Sequence, residues 1–143
     1  MIGMPLKNYQ SLCAENASQI VSRDKGKPQY HKAINRDKNY VTQYQIDGIV
    51  IRDGVRCDFL LINEDKKNAY LIELKGSDLI KAAEQLDRTE SVLHNELTVY
   101  NIYYRIVANK CVTHDIKSSA YRKYQVRWNR RLVQKTGYIE EQI

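Results

Sequence analysis

The chain has 143 residues, 43% of them apolar and 28% charged, with a formal net charge of +6. This is the size and balance of a single globular domain over residues 1–143, and it excludes a disordered chain. No window approaches the roughly 18 consecutive apolar residues of a membrane-spanning helix, so a membrane partner is not expected. The excess of positive charge suits a polyanionic partner.

In chain order, "PLKNYQSLCAENASQIVSR" spaces Leu6, Tyr9, Leu12, Cys13, Ala17, Ile20 and Val21 at helical intervals, which predicts an amphipathic helix opened by Pro5. The polar, basic stretch "RDKGKPQYHKAINRDKN" then reads as a loop punctuated by Gly26 and Pro28. Period-two alternation of β-branched and aromatic residues predicts three strands, roughly 40–47, 56–63 and 69–75, with turns at Asp47-Gly48 and Asp53-Gly54. A helix follows, capped by Ser77 or Asp78, with Leu79, Ala83, Leu86 and Leu93 as its apolar stripe. "LTVYNIYYRIVA" is apolar on both faces and predicts a central strand. Tyr121, Tyr124, Trp128 and Leu132 predict a last helix stopped at Gly137, with room for a short closing strand after it; a strand through "KYQVRW" is the competing reading. The sum is a small mixed sheet flanked by helices, an α/β layered domain.

"MIGMPLKNYQSL" lacks the basic-then-apolar layout of a secretory signal. Cys13, Cys57 and Cys111 show no CxxC spacing, and His31, His94 and His114 show no ligand spacing. The expectation is a cytoplasmic chain without disulfides or zinc.

The charges in "RCDFLLINEDKKNAYLIELKG" are out of keeping with its apolar strands. If Asn63 faces Asn68 across the turn, Asp58 lies opposite Glu73, and the two share a face with Lys75. Leu60, Ile62 and Leu71 continue that face, so helices should cover it. Opposed carboxylates repel unless a cation sits between them, and a hard divalent ion suits the place. The bland alternatives are a buried Asp–Lys–Glu network or a solvated polar face.

Asp58, fourteen intervening residues and then Glu73-Leu74-Lys75 resemble the motif of the PD-(D/E)XK, or restriction-endonuclease-like, nucleases, with Cys57 in place of the motif's proline. The resemblance spans roughly residues 6–107 and implies an αβββαβ core. It implies that Asp58, Glu73 and the carbonyl of Leu74 bind Mg²⁺ or Mn²⁺ and that Lys75 orients or activates the attacking water. It further suggests Gln85 on the following helix and Glu15 on the first helix as catalytic residues, with Asp47 a rival third acid. Activity would then be phosphodiester hydrolysis, endonucleolytic rather than exonucleolytic, on DNA rather than RNA, structure-selective or junction-resolving. A homodimer would let both strands be cut.

Two basic stretches are candidates for phosphate contacts: Lys25, Lys27 and Lys32 in the expected loop, and Arg122, Lys123, Arg127, Arg130 and Arg131 in the last helix. Two other readings compete: a catalytically inactive nucleic-acid-binding module of the same fold, and an interaction or inhibitor domain whose charges are structural.

Overall fold

The computed structural model describes residues 6, 8–74, 78–110 and 113–143. It is an α/β structure with a five-stranded mixed sheet, a three-stranded sheet and four short to medium helices. Strands β3 (Val41–Gln45), β4 (Phe59–Asn63) and β5 (Asn68–Leu74) form an antiparallel meander. Helix α1 (Leu79–Val92) then crosses over to β6 (Asn101–Ala108), which pairs parallel with β5. After α2 (His94–Leu97), α3 (Thr113–Ile116) and α4 (Ser119–Trp128), β7 (Leu132–Thr136) pairs parallel with β6 at the sheet edge. The second sheet has the order β1 (Gln19–Arg23), β2 (Tyr30–Ile34), β8 (Tyr138–Gln142).

The large sheet is buried on both faces. Leu60, Ile62, Ala69, Leu71 and Ile106 pack beneath Leu79, Ala83 and Leu86 of α1 and Tyr121 and Trp128 of α4. Leu61, Tyr70, Ile72, Leu74 and Val107 on the other face meet Ile20, Ala33 and Ile139 of the small sheet. The result is three layers: helices, five-stranded sheet, three-stranded sheet. A strand covered on both sides must be apolar throughout, which is why "FLLIN" and "AYLI" lack clean alternation.

Three expectations fail, each for a long-range reason. The predicted opening helix is absent: residues 8–18 run as turns and irregular backbone, and 19–23 form β1. Leu12, on the expected apolar stripe, is 58% exposed. Its amide bonds Gln43 O, and Glu15 O accepts from Val41 N, so this segment lies along β3. The predicted loop contains β2, whose inward positions are His31 and Ala33 rather than large aliphatics. Its partners are β1 and the distant β8, so nothing local marks it as a strand.

The last helix ends at Trp128, not at Gly137. Asn129 takes φ 49°, a conformation Asn tolerates better than most residues, and a 3-10 turn leads into β7. Gly137, at φ 93°, instead turns the chain from one sheet to the other. The strand reading of "KYQVRW" fails with it, since α4 occupies that stretch.

Candidate functional site

The β4–β5 hairpin has the anticipated register: Asn63 opposes Asn68 and Phe59 opposes Ile72. Asp58 stands just before β4: its amide bonds the O of Ile72, the partner of Phe59, and its Oδ2 accepts from Leu74 N at 2.8 Å. Glu73 lies one residue beyond Leu71's neighbour Ile72, so alternation puts it on the helix-covered face with Ala69 and Leu71. Both acids are buried, Asp58 at 7% exposure and Glu73 at 2%. Leu74 itself turns toward the small sheet, leaving its backbone beside Asp58. Lys75 lies outside the described residues.

The electrostatics extend this pair into a larger acidic corner. Burial pushes the Asp58 carboxyl up to about 6; the Leu74 amide opposes the shift, Asp24 and Asp47 add to it, and Lys27 opposes it. Asp24 is itself raised by burial, with Lys27 opposing and Asp47 adding. The Cys57 thiol is raised by burial first and then by the charge of Glu73. It is buried and inert, and its amide is held by Thr89 Oγ1 on α1 at 2.8 Å. Thus the β1–β2 turn, the β3–β4 connection and the two central strands converge at one end of the large sheet.

Beside this corner is a cavity of about 360 Å³ lined by Asp47, Gly54, Val55, Arg56, Lys81 and Gln85. Arg56 Nε is paired with Asp47 Oδ1 at 2.7 Å. Gln85 donates from Nε2 to Arg56 O at 2.9 Å, while its Oε1 is buried without a hydrogen-bond partner. The helix brings Lys81 to the same cavity because it lies four residues before Gln85. The amides opening α1 are already occupied: Asp78 accepts from Lys81 N and Asp115 from Leu79 N. That helix end therefore offers no seat for a phosphate.

The chain matches no protein-family model, no curated protein and no solved structure.

The remaining sequence candidates divide. Gln85 and Asp47 reach the site. Glu15 does not: it is exposed and bonded to Val41, the residue opposite Asn63 and so at the far end of the hairpin from Asp58. Its assignment rested on a helix that does not form. Lys25 and Lys27 are exposed on the β1–β2 turn, and Lys27 acts on Asp58 through its charge. Lys32 stands half-buried on the outer face of the small sheet. Arg122, Lys123 and Arg127 are exposed on α4 in the opposite layer, where Arg127 is engaged with Asp87 and Lys123 lies over Tyr124. Arg130 and Arg131 are exposed on the turn after it, where Arg131 lies over Tyr103 on the small-sheet side. The basic residues therefore do not form one surface.

Sequence reasoning missed Asp24, Arg56 and Lys81. The i, i+4 spacing of Lys81 and Gln85 was a usable signal. Asp24 could be placed only by recognising "DKGK" as a hairpin turn, which the helical reading of the preceding residues obscured.

Among the described residues, no three His, Cys, Asp or Glu side chains group closely enough to hold a metal ion. No helix among them is long and apolar enough to cross a membrane.

Proposed function

We propose that the chain is a Mg²⁺- or Mn²⁺-dependent nuclease, an endonucleolytic phosphodiesterase acting on DNA before RNA, on a restriction-endonuclease-like core. In this reading β3–β4–β5–α1–β6 is the βββαβ part of that core, and the β1–β2 hairpin stands where a first helix was expected. The observation that carries it is the burial of Asp58 and Glu73 on adjacent strands, with Asp58 tied to the Leu74 amide. Buried carboxylates carry a desolvation cost, and a bound cation would offset it.

The donors fit a hard divalent ion: two carboxylates and the Leu74 carbonyl, with waters and phosphate oxygens to complete the shell. An ion bound there would acidify a coordinated water and offset charge building on the phosphoryl oxygens. The chain's own groups do the rest. Lys75 orients or activates the water, as the resemblance implies. Lys81 and Arg56 line the cavity where a phosphate or its neighbour can sit. Gln85 holds the Arg56 carbonyl and presents a free Oε1 acceptor to the attacking water.

The test is cleavage of supercoiled plasmid, branched DNA and RNA with Mg²⁺, Mn²⁺ or chelator. Chelator should abolish cutting, and Glu73→Gln and Lys75→Ala should each slow it at least about 100-fold, the scale of losing a metal or nucleophile-activating group. Cutting that survives chelator and both variants sinks the proposal. The absence of a third close acid among the described residues favours a second reading, a non-catalytic nucleic-acid-binding module. Salt-sensitive binding without cutting is that reading's result.

A further inference from the structure

Among the described residues no other layer covers the outer face of the small sheet, and its register orders its side chains into rows. Arg23, Tyr30 and Tyr138 form one row, and Val21, Lys32 and Glu140 the next. Within the first row the Tyr30 and Tyr138 rings stack at 5.5 Å and 14°, and the Arg23 guanidinium lies 4.7 Å over Tyr30. Tyr138 is 53% exposed and Val21 47%. The row adjoins the turn that carries Lys25, Lys27 and Asp24, the last two in electrostatic contact with Asp58. On its other side Tyr138 shares a cavity of about 490 Å³ with Lys135, Thr136 and Glu140. Lys135 pairs with Val107, which pairs with Leu74, so this cavity too lies toward the Asp58 end of the large sheet.

We infer that this face is a binding platform for an unpaired nucleic-acid strand, whose bases stack on Tyr138, which Tyr30 backs, while its phosphates follow the surrounding cations toward Asp58 and Glu73. The charge is complementary: among the described residues of this face, its turn and the adjoining cavity, Arg23, Lys25, Lys27, Lys32 and Lys135 outnumber Glu140 and half-buried Asp24. Aromatic rings raised on a sheet are of use to exposed bases and of none to a duplex, whose bases are already stacked and paired. The inference rests on the nuclease reading for the direction in which the strand leads, and it makes unpaired strand the substrate class of that site.

Binding is measured by anisotropy in chelator, so that no cleavage is involved. The probes are fluorescent oligo-dT and oligo-rU of about 20 nucleotides and a duplex of the same length. The wild type should prefer an unpaired strand by about tenfold or more, and the dT and rU arms say which sugar it accepts. Tyr138→Ala and Tyr30→Ala should each weaken unpaired-strand binding by about tenfold while changing duplex binding less than about twofold. Tyr138→Phe, which keeps the ring, should bind as the wild type does. Unchanged binding in the alanine variants overturns the platform. So does equal loss on both probes, a preference for duplex, or no binding to either. If the wild type binds unpaired strand but cuts neither that strand nor plasmid with Mg²⁺ or Mn²⁺, the platform stands and the nuclease reading falls.

Discussion

Gly54 occupies φ 77°, in the left-handed region, and a Cβ built there would lie 2.6 Å from the Arg88 guanidinium carbon. Arg88 donates to the carbonyls of Asp53 and Val55, so it fastens the loop that forms one wall of the candidate site's cavity. Gly54→Ala should cost about 1–2 kcal/mol in urea denaturation, from backbone strain and a displaced Arg88. At Asp58 the sign is reversed. Its carboxyl is raised from 3.8 to about 6, so the ionised form is disfavoured in the fold and stability declines as pH rises through that interval. Asp58→Asn keeps an acceptor for the Leu74 amide and removes the charge. It should stabilise the metal-free protein at pH 7 by the order of 2 kcal/mol while abolishing metal-dependent stabilisation. Thermal melts with Mg²⁺ and with chelator check both halves.

The small sheet is joined to the large one by a buried polar contact as well as by apolar packing. Glu141 on β8 takes both Arg105 Nε at 2.7 Å and Arg105 Nη2 at 3.0 Å from β6, and His31 Nε2 from β2 at 2.7 Å. Burial raises the Glu141 carboxyl, but these partners outweigh it and hold the group down at about 2, against an ordinary 4.5. A depressed carboxyl stabilises the fold above its unfolded pKa, and that stability is lost as pH falls through the folded one. The wild type should therefore lose stability between about pH 4.5 and pH 2, by about 2–3 kcal/mol. Glu141→Gln should be less stable at pH 7 and nearly flat across the same window, as followed by chemical denaturation. It was this element-level pairing that local patterning could not reveal. Tyr30–Ile34 reads as a polar loop because its inward histidine bonds, through Nε2, a residue 110 positions away.

Across the molecule the +6 charge is unevenly available to a polyanion. Lys25 and Lys27 project from the turn next to the acidic corner, whereas Arg127 is engaged by Asp87 and lies over Trp128 and Tyr124. Replacing both lysines with alanine should flatten the dependence of log affinity on log salt by about 1–2 units, since each phosphate contact contributes about 0.7–0.9. Arg127→Ala should barely change that slope, though it should weaken the α1–α4 contact. Titrations at several salt concentrations separate the two.

The hairpin register, the helix after it and the central β6 were legible because each is written in consecutive residues: a turn with a strand on either side, a 3.6-residue stripe, an unbroken apolar run. Counting outward from Asn63 and Asn68 also gave the pairing as far as Phe59 and Ile72, one step short of Asp58 and Glu73. The tertiary structure alone decided that residues 19–23 and 30–34 are strands, that Glu15 falls at the wrong end of the sheet, that Asp24 and Lys27 come near Asp58, and that Arg56 and Lys81 line the neighbouring cavity. These depend on which segments meet after folding. The β2–β8 pairing joins segments about a hundred residues apart, and no local period displays a partner that distant.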